Sequence, residues 1–383
     1  MSENDAVVPL PTSTPEMIQP ILRRAWRADN PTGEQAGKYK PVLLVGPPGV
    51  SKSAQVEQFA HDNGMIYIPV YLSYNTFNDI KGFGVPDRDP NSDTFERMIW
   101  YRDAVFPDSD CDKKYLIFWD ELFNANASVI KVAQQAVLER MIGEYKFPRN
   151  TMMVAAANGQ KHHCQASRAP ASVMDRFTIY QLEPSIKGTL DWLMDNAQTE
   201  YVFGFLQAHN ESLYCDNMDK WDGEQAQSTS RSYTKLDQYL TTYSNPSEMV
   251  SPDNTRQFKA DVCGCIGAKA GQEFVTFVQL YATCGDVGEL LADARNCDLG
   301  RIVARPDLKY IVASKLVTLA EKDNVSDVLL LSHRLTDPDL NSPDGLESME
   351  SMVGNRLRRK RKDLSTVPAM IQWQLKHKNE LLK

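Results

Sequence analysis

Five short apolar runs, separated by helix-patterned or turn-rich stretches, constrain this 383-residue chain more than any other feature. They are Val42 to Val45, "MIYIPVYL" (65–72), "YLIFW" (115–119), "MMVAAA" (152–157) and "FTIYQL" (177–182). A sheet with one face in water alternates apolar and polar residues, whereas these runs are apolar nearly throughout, as in parallel strands covered on both faces. Their alternation with helical patterns predicts an α/β domain on a five-stranded parallel sheet with helices on both faces. Ahead of it, residues 15–28 read as a helix with Thr14 as cap, followed by a Pro/Gly-bearing linker at 30–37. Residues 74–112, rich in Asp, Asn, Gly and Pro, contain one amphipathic piece, "TFERMIWYR", and predict loops and a hairpin outside the sheet. After Glu183-Pro184 the strand signals stop. Apolar clusters around Trp192, Phe203 to Phe205, Leu236 to Leu240 and Phe274 to Tyr281 predict a mostly helical second region.

The first run leads directly into Gly46, Pro47, Pro48, Gly49, Val50, Ser51, Lys52, Ser53 and Ala54, and then into a helix over 51–62 closed by Asn63-Gly64. A tight turn of this kind points successive backbone N–H groups inward, and the following helix adds its positive end, so together they hold a polyphosphate. In the pattern G-x-x-x-x-G-K-[ST], Gly46, Lys52 and Ser53 match, while Ser51 stands in for the second glycine. Lys52 is expected at the β- and γ-phosphates of ATP and the Ser53 hydroxyl at Mg2+. The backbone at Ser51 is expected to take a conformation that a β-carbon allows, so that ATP binding survives while turnover stays open. The motif is weak alone; the strand before it and the helix after it give it weight.

A second element, "YLIFWDE", delivers Asp120 and Glu121 at the carboxyl end of a strand, where open α/β sheets bind ligands. Asp120 would support Mg2+, mainly through its water shell, and Glu121 would polarise the water that attacks the γ-phosphate. Asn158 ends "MMVAAAN" in the same way and can orient that water; by itself it would be a strand-end turn. Arg176, in "SVMDRF" just before the fifth run, can reach a γ-phosphate held by a neighbouring subunit, with Arg168 as an alternative; a lone arginine there would be a surface ion pair. Arg231, in "STSRSY", stands near the start of a helix in the second region, placed to touch nucleotide from above.

Taken in order, this set resembles the AAA+ ATPases: Walker A at 46–53, Walker B at 115–121, sensor 1 at Asn158, arginine finger at Arg176 and sensor 2 at Arg231. It is most similar to the MoxR branch of bacteria and phages, through "DELFNANASVIKVAQQAVLERMIGEYKFPRNTMMVAAANG" and "ASRAPASVMDRF". The likeness runs over about residues 38–245 and fades to a general helical one beyond. It implies an N-terminal helix and linker (1–37), an AAA+ core (38–185), a helical lid (186–285) and a helical C-terminal region with a basic end (286–383). It also implies a homo-oligomeric ring, usually of six subunits, with ATP and Mg2+ at each interface and a pore that remodels a protein client. Partners with a von Willebrand factor A domain are common in that branch. Phe83, in "KGFGV", falls in the loop after the second strand where such rings carry pore contacts, and a plain loop aromatic fits equally; "TFERMIWYR" resembles the hairpin this branch places inside its second helix.

Charge and composition narrow the alternatives. The formal charge is −8, yet residues 351–383 hold nine Lys and Arg against two Asp and Glu, so the rest carries −15. Most of the basic excess is "RLRRKRK" (Arg356 to Lys362), which suits nucleic acid, an acidic partner surface, or a solvated helix or tail. An acidic remainder argues against a nucleic-acid motor or loader, whose DNA-tracking pore needs a basic lining. That reading stays as an alternative, as does a nucleotide-gated scaffold with little turnover. No apolar run reaches the length of a membrane span and "MSENDAVVPLPTSTPE" lacks a signal-peptide pattern, so a cytoplasmic protein without membrane contact is expected. Seven scattered cysteines suit reduced thiols. A zinc site from His162, His163, Cys164 and the pair Cys263/Cys265 would lack C-x-x-C spacing in both clusters.

Overall fold

The structure, a computed structural model, describes residues 11–29, 40–88, 95–159, 174–209, 224–336 and 349–378. They fall into two compact units, one ending at Ser185 and the other beginning at Ile186. In the first unit, β1 (Thr12–Ser13) precedes helix α1 (Ile18–Asp29), and β2 (Val42–Val45) precedes α2 (Lys52–Asp62) and β3 (Ile66–Tyr71). A short α3 (Phe77–Lys81) leads to a hairpin of β4 (Phe83–Arg88) and β5 (Phe95–Tyr101). Then come β6 (Tyr115–Asp120), α4 (Ala127–Glu139), the two-residue strands β7 (Met141–Ile142) and β8 (Tyr145–Lys146), β9 (Thr151–Ala157) and β10 (Thr178–Leu182).

The main sheet has the order β1-β10-β2-β9-β6-β3, with every pair parallel. Strand β2 lies between β10 and β9, its Val42 level with Thr178 on one side and Val154 on the other. Successive side chains of a strand point to opposite faces. Accordingly, Leu43, Val45, Ala155 and Ala157 join the core under α4, with Val129, Ala133 and Val137. Val42, Leu44, Val154 and Ala156 join a second core with Ile18 and Leu22 of α1 and Val56 and Phe59 of α2. Both faces are covered, which is why these central strands read as unbroken apolar runs.

Two features depart from expectation. The sheet has six strands rather than five, because Thr12 and Ser13 pair with Gln181 and Leu182 at the β10 edge. Two polar residues on an edge leave no apolar run to find. Phe83 does not lie in a loop: it opens β4 opposite Tyr101 and is 61% exposed. Gly82 makes the switch from α3 to β4 possible, since its φ of 92° is in the left-handed region and a Cβ there would meet the Tyr101 carbonyl at 2.1 Å. The β4–β5 hairpin itself forms a separate antiparallel pair outside the main sheet, as the sequence suggested.

All regular elements described in the second unit are helical: α5 (Ile186–Asn196), α6 (Tyr201–Ala208), α7 (Ser230–Leu240), α8 (Pro246–Met249), α9 (Thr255–Ile266), α10 (Ala268–Thr283), α11 (Val287–Ala292), α12 (Gly300–Val303), α13 (Pro306–Leu319), α14 (Val325–Arg334), α15 (Met349–Lys360) and α16 (Pro368–Lys376). One apolar cluster gathers Leu193, Phe203, Phe205, Tyr233, Leu236, Phe258 and Phe274; another gathers Leu316, Val328, Leu331, Val353, Leu357 and Trp373. Among the described residues no helix is long and apolar enough to cross a membrane.

The basic stretch at the end of α15 is neither a solvated tail nor a free basic surface. Arg356 is fully buried, paired with Glu200, and its guanidinium lies 3.8 Å from the centroid of the Phe203 ring. Lys360 donates to the Ala197 carbonyl at 2.6 Å and to Glu200 at 3.2 Å, and burial pulls its ammonium below the usual lysine range. Arg359 pairs with Asp195 at 2.9 Å, and Arg361 with Asp363 at 3.0 Å and the Ala320 carbonyl at 2.8 Å. A planar guanidinium tolerates burial when a carboxylate and an aromatic face both meet it, and here both come from the start of α6. Removing the carboxylate strands the charge. Glu200→Ala is therefore expected to destabilise the protein by about 3–5 kcal/mol in chemical denaturation, the loss typical of breaking a buried pair. A loss below about 1 kcal/mol, as for an exposed pair, would contradict this account.

Candidate functional site

The sheet order brings the carboxyl ends of β2, β9 and β6 side by side; β9 and β6 each lead a polar residue out of a buried strand, and β2 runs into a glycine-proline loop. After β2 the chain turns at Gly46, whose N–H donates to the Ala157 carbonyl at 3.2 Å. A Cβ on residue 46 would sit 2.8 Å from the Leu182 carbonyl, so glycine is the residue that lets the loop pass this close to β10. Val50 is buried beneath the loop, and Gly49 and Ser51 reverse it with φ of 79° and 64°. The Ser51 carbonyl then accepts from Gln55 N–H at 3.0 Å as α2 begins. Ser51 thus adopts the left-handed backbone that glycine takes freely, and not a conformation comfortable for a β-carbon.

Lys52, only 7% exposed, points back under the loop. Its ammonium donates to the Gly46 carbonyl at 2.8 Å, the Pro47 carbonyl at 3.0 Å and Asn158 Oδ1 at 3.1 Å. Asn158, expected to orient a water, is here a tether for Lys52. The Ser53 hydroxyl donates to Asp120 Oδ2 at 2.9 Å, and Asp120 Oδ1 accepts the Glu121 N–H at 2.9 Å. Glu121 turns the chain sharply after β6, with φ of 59°, and its carboxylate accepts a hydrogen bond from the Ser73 hydroxyl. Gly46 to Ala54, Asp120, Glu121 and Asn158 therefore lie together at this edge of the sheet.

Ser73 was not anticipated. It lies in the turn after β3, the strand next to β6, and the Leu72 N–H donates to the Asp120 carbonyl at 3.0 Å. The available signal was positional: Ser73 follows its apolar run as Asp120 and Asn158 follow theirs.

The donor chemistry fits magnesium nucleotide. Ser53 and Asp120 offer hard oxygen ligands within hydrogen-bond distance of each other, the kind of sparse protein set that Mg2+ takes alongside water and phosphate. Lys52 offers a cation along the loop. Among the described residues no group of three or more His, Cys, Asp or Glu side chains is arranged for a metal; His162, His163 and Cys164 lie outside the described residues, and Cys263 and Cys265 are free thiols.

Arg176 does not join the cluster. Arg176 sits exposed in the turn that precedes β10, at the amino edge of the parallel sheet. The loop at Gly46 is at the carboxyl edge: Thr178 is level with Val42, and the step from Val42 to Gly46 spans about 13 Å along the strand. Arg168 lies outside the described residues. Arg231 is exposed in the first turn of α7, and so belongs to the second unit.

No family model matches the sequence, and no curated protein matches it significantly. Among solved structures, a protein of Cytophaga hutchinsonii described as a candidate ATPase is similar with a TM-score of 0.32 at 14% identity, over 66% of this chain and 80% of its own. Two variants of RuvB from Thermotoga maritima are similar with TM-scores of 0.32 and 0.33, each at 14% identity over 94% of this chain and 87% or 88% of theirs. Likenesses at this level assign no family.

The backbone at Ser51 offers a direct check. A Cβ in the left-handed region costs roughly 1–2 kcal/mol, partly offset by the greater freedom glycine has in the unfolded chain. Ser51→Gly should raise stability by about 0.5–1 kcal/mol in denaturant titration. A neutral or destabilising effect would show that the loop is not strained at this position.

Proposed function

We propose that this protein is a Mg2+-dependent ATPase of the AAA+ type, most similar to the MoxR branch, that works as a homo-oligomeric ring of six subunits and couples ATP hydrolysis to remodelling of a protein client. The observation that carries the nucleotide part is the meeting of Lys52, Ser53, Asp120 and Asn158 at the ends of three adjacent parallel strands. The ring, the client and the branch rest on the sequence resemblance. A client or partner with a von Willebrand factor A domain is the kind that resemblance suggests. In this reading residues 1–37 lead into the ring, 38–185 bind ATP, 186–285 act as the lid bearing Arg231, and 286–383 complete the subunit.

Each residue has a task the geometry supports. Lys52 exchanges its carbonyl contacts with Gly46 and Pro47 for phosphate oxygens, while Asn158 keeps its side chain aligned. Ser53 and Asp120 supply the protein oxygens for magnesium, which when bound neutralises charge on the phosphates. Glu121 accepts the proton of the attacking water, and Ser73 holds that carboxylate until it is needed. Arg176, distant from its own subunit's loop, is suited to a neighbour's site. The nucleic-acid alternative loses its main support, because Arg356, Arg359, Lys360 and Arg361 are engaged in internal contacts.

Mixed rings test this reading. Glu121→Gln should retain ATP binding and slow hydrolysis by about 10²–10⁴-fold, the range of general-base contributions. Arg176→Ala should slow it by about 10³–10⁵-fold if the arginine acts on the γ-phosphate. A mixture of the two variants contains interfaces that join an intact Glu121 to an intact Arg176, so ATPase activity should partly return. A mixture that forms rings yet stays as slow as its components would contradict a shared site.

A further inference from the structure

The second unit holds a cleft of about 510 Å³ that opens to solvent and is lined by Cys297, Leu299, Gly300, Val303, Ala304 and Arg334. Its size falls within the range of small-molecule sites, and its wall is mostly aliphatic with few polar groups. Arg334, the last residue of α14, is only 9% exposed. Its guanidinium donates to the Ala294 carbonyl at 2.7 Å, the Cys297 carbonyl at 3.0 Å and the Cys297 thiol at 3.4 Å. These acceptors satisfy hydrogen bonds but carry no full charge.

The contrast with Arg356 is informative. That arginine is buried against Glu200, whereas no carboxylate of the described residues lies within 4.0 Å of the Arg334 guanidinium. A buried cation without a counter-charge is costly, and one that lines a cleft can recover the cost from an anion held there. Asp298, also on the wall, is exposed, and its Oδ1 accepts the Gly300 N–H at 2.8 Å. A negative group at the rim disfavours a dianion such as phosphate and leaves room for a single negative charge. The guanidinium hydrogens that the three contacts of Arg334 leave, on Nε and Nη2, suit a carboxylate, and Leu299, Val303 and Ala304 suit a short aliphatic tail.

We propose that this cleft binds a small aliphatic monocarboxylate, with Arg334 as its charge partner and the Cys297 thiol beside it. The site is separate from the ATPase reading and stands or falls without it. The arrangement places a nucleophilic sulfur next to the anion, which supplies the test on the unaltered full chain. Iodoacetate and iodoacetamide are near-equal in size and react alike: the thiolate sulfur bonds to the CH2 carbon, iodide leaves, and the thiol proton goes to buffer. Only iodoacetate carries a carboxylate for Arg334. Because both reagents consume the same thiolate, their rate ratio at one cysteine does not depend on how much of it is ionised.

The ratio at Cys297 is to be compared, by peptide mass spectrometry, with that at Cys263, half-buried on α9 with its thiol 3.9 Å from the Ala268 carbonyl. Iodoacetate should be favoured at Cys297 by at least about fivefold over the Cys263 ratio, given a charge-assisted contact. Added butyrate should slow Cys297 labelling by iodoacetamide and leave Cys263 unaffected. An equal ratio at the two cysteines, no labelling of Cys297 by either reagent, or butyrate without effect on Cys297 would each overturn the proposal.

Discussion

Everything at the candidate site depends on the parallel pairing of β2 between β9 and β10. That pairing fixes which strand ends are neighbours: the loop at Gly46 follows β2, Asn158 follows β9, and Asp120 ends β6 next door. Chain order alone keeps them apart, since more than a hundred residues separate Lys52 from Asn158. Hydrogen-bond register closes that distance to one contact of 3.1 Å. The same register explains why Arg176 is remote: parallel strands put every entry turn at the edge opposite to every exit loop.

The residues at the exit edge then hold each other in place. Lys52 is fixed by two loop carbonyls and Asn158, Ser53 by Asp120, and Glu121 by Ser73. Each contact uses a group that the proposed chemistry also needs, so the arrangement is pre-set and substrate would exchange partners instead of building the site. Besides Glu121, whose φ is also positive, the local conflict at the site is Ser51. Its β-carbon occupies a backbone region better suited to glycine, which is where the sequence already broke the phosphate-loop pattern.

Legibility in the sequence followed burial. The central strands were readable because both faces are covered, so every position had to be apolar: β2 and β9 are buried throughout. The sixth strand was not, being two polar edge residues that pair only through the backbone. Lys52, Ser53, Asp120, Glu121 and Asn158 were found because each directly follows an apolar run or a glycine turn. Ser73 obeys the same rule but lacks a motif to flag it. The stretch Arg356 to Lys362 misled for a physical reason: basic residues are normally solvated, and what buries Arg356 is Glu200 and Phe203, some 150 residues earlier in the chain. No local pattern announces a partner at that distance.

The central claim is that the loop at Gly46 binds nucleotide through Lys52, and calorimetric titration with Mg-ATP addresses it most directly. The native chain should bind, and Lys52→Ala should lose about tenfold to a hundredfold in affinity, corresponding to a hydrogen bond from a charged donor worth roughly 1.5–3 kcal/mol. Binding should also weaken when magnesium is chelated. A folded Lys52→Ala protein that bound Mg-ATP as tightly as the native chain, or a native chain that bound no ATP, would contradict the account.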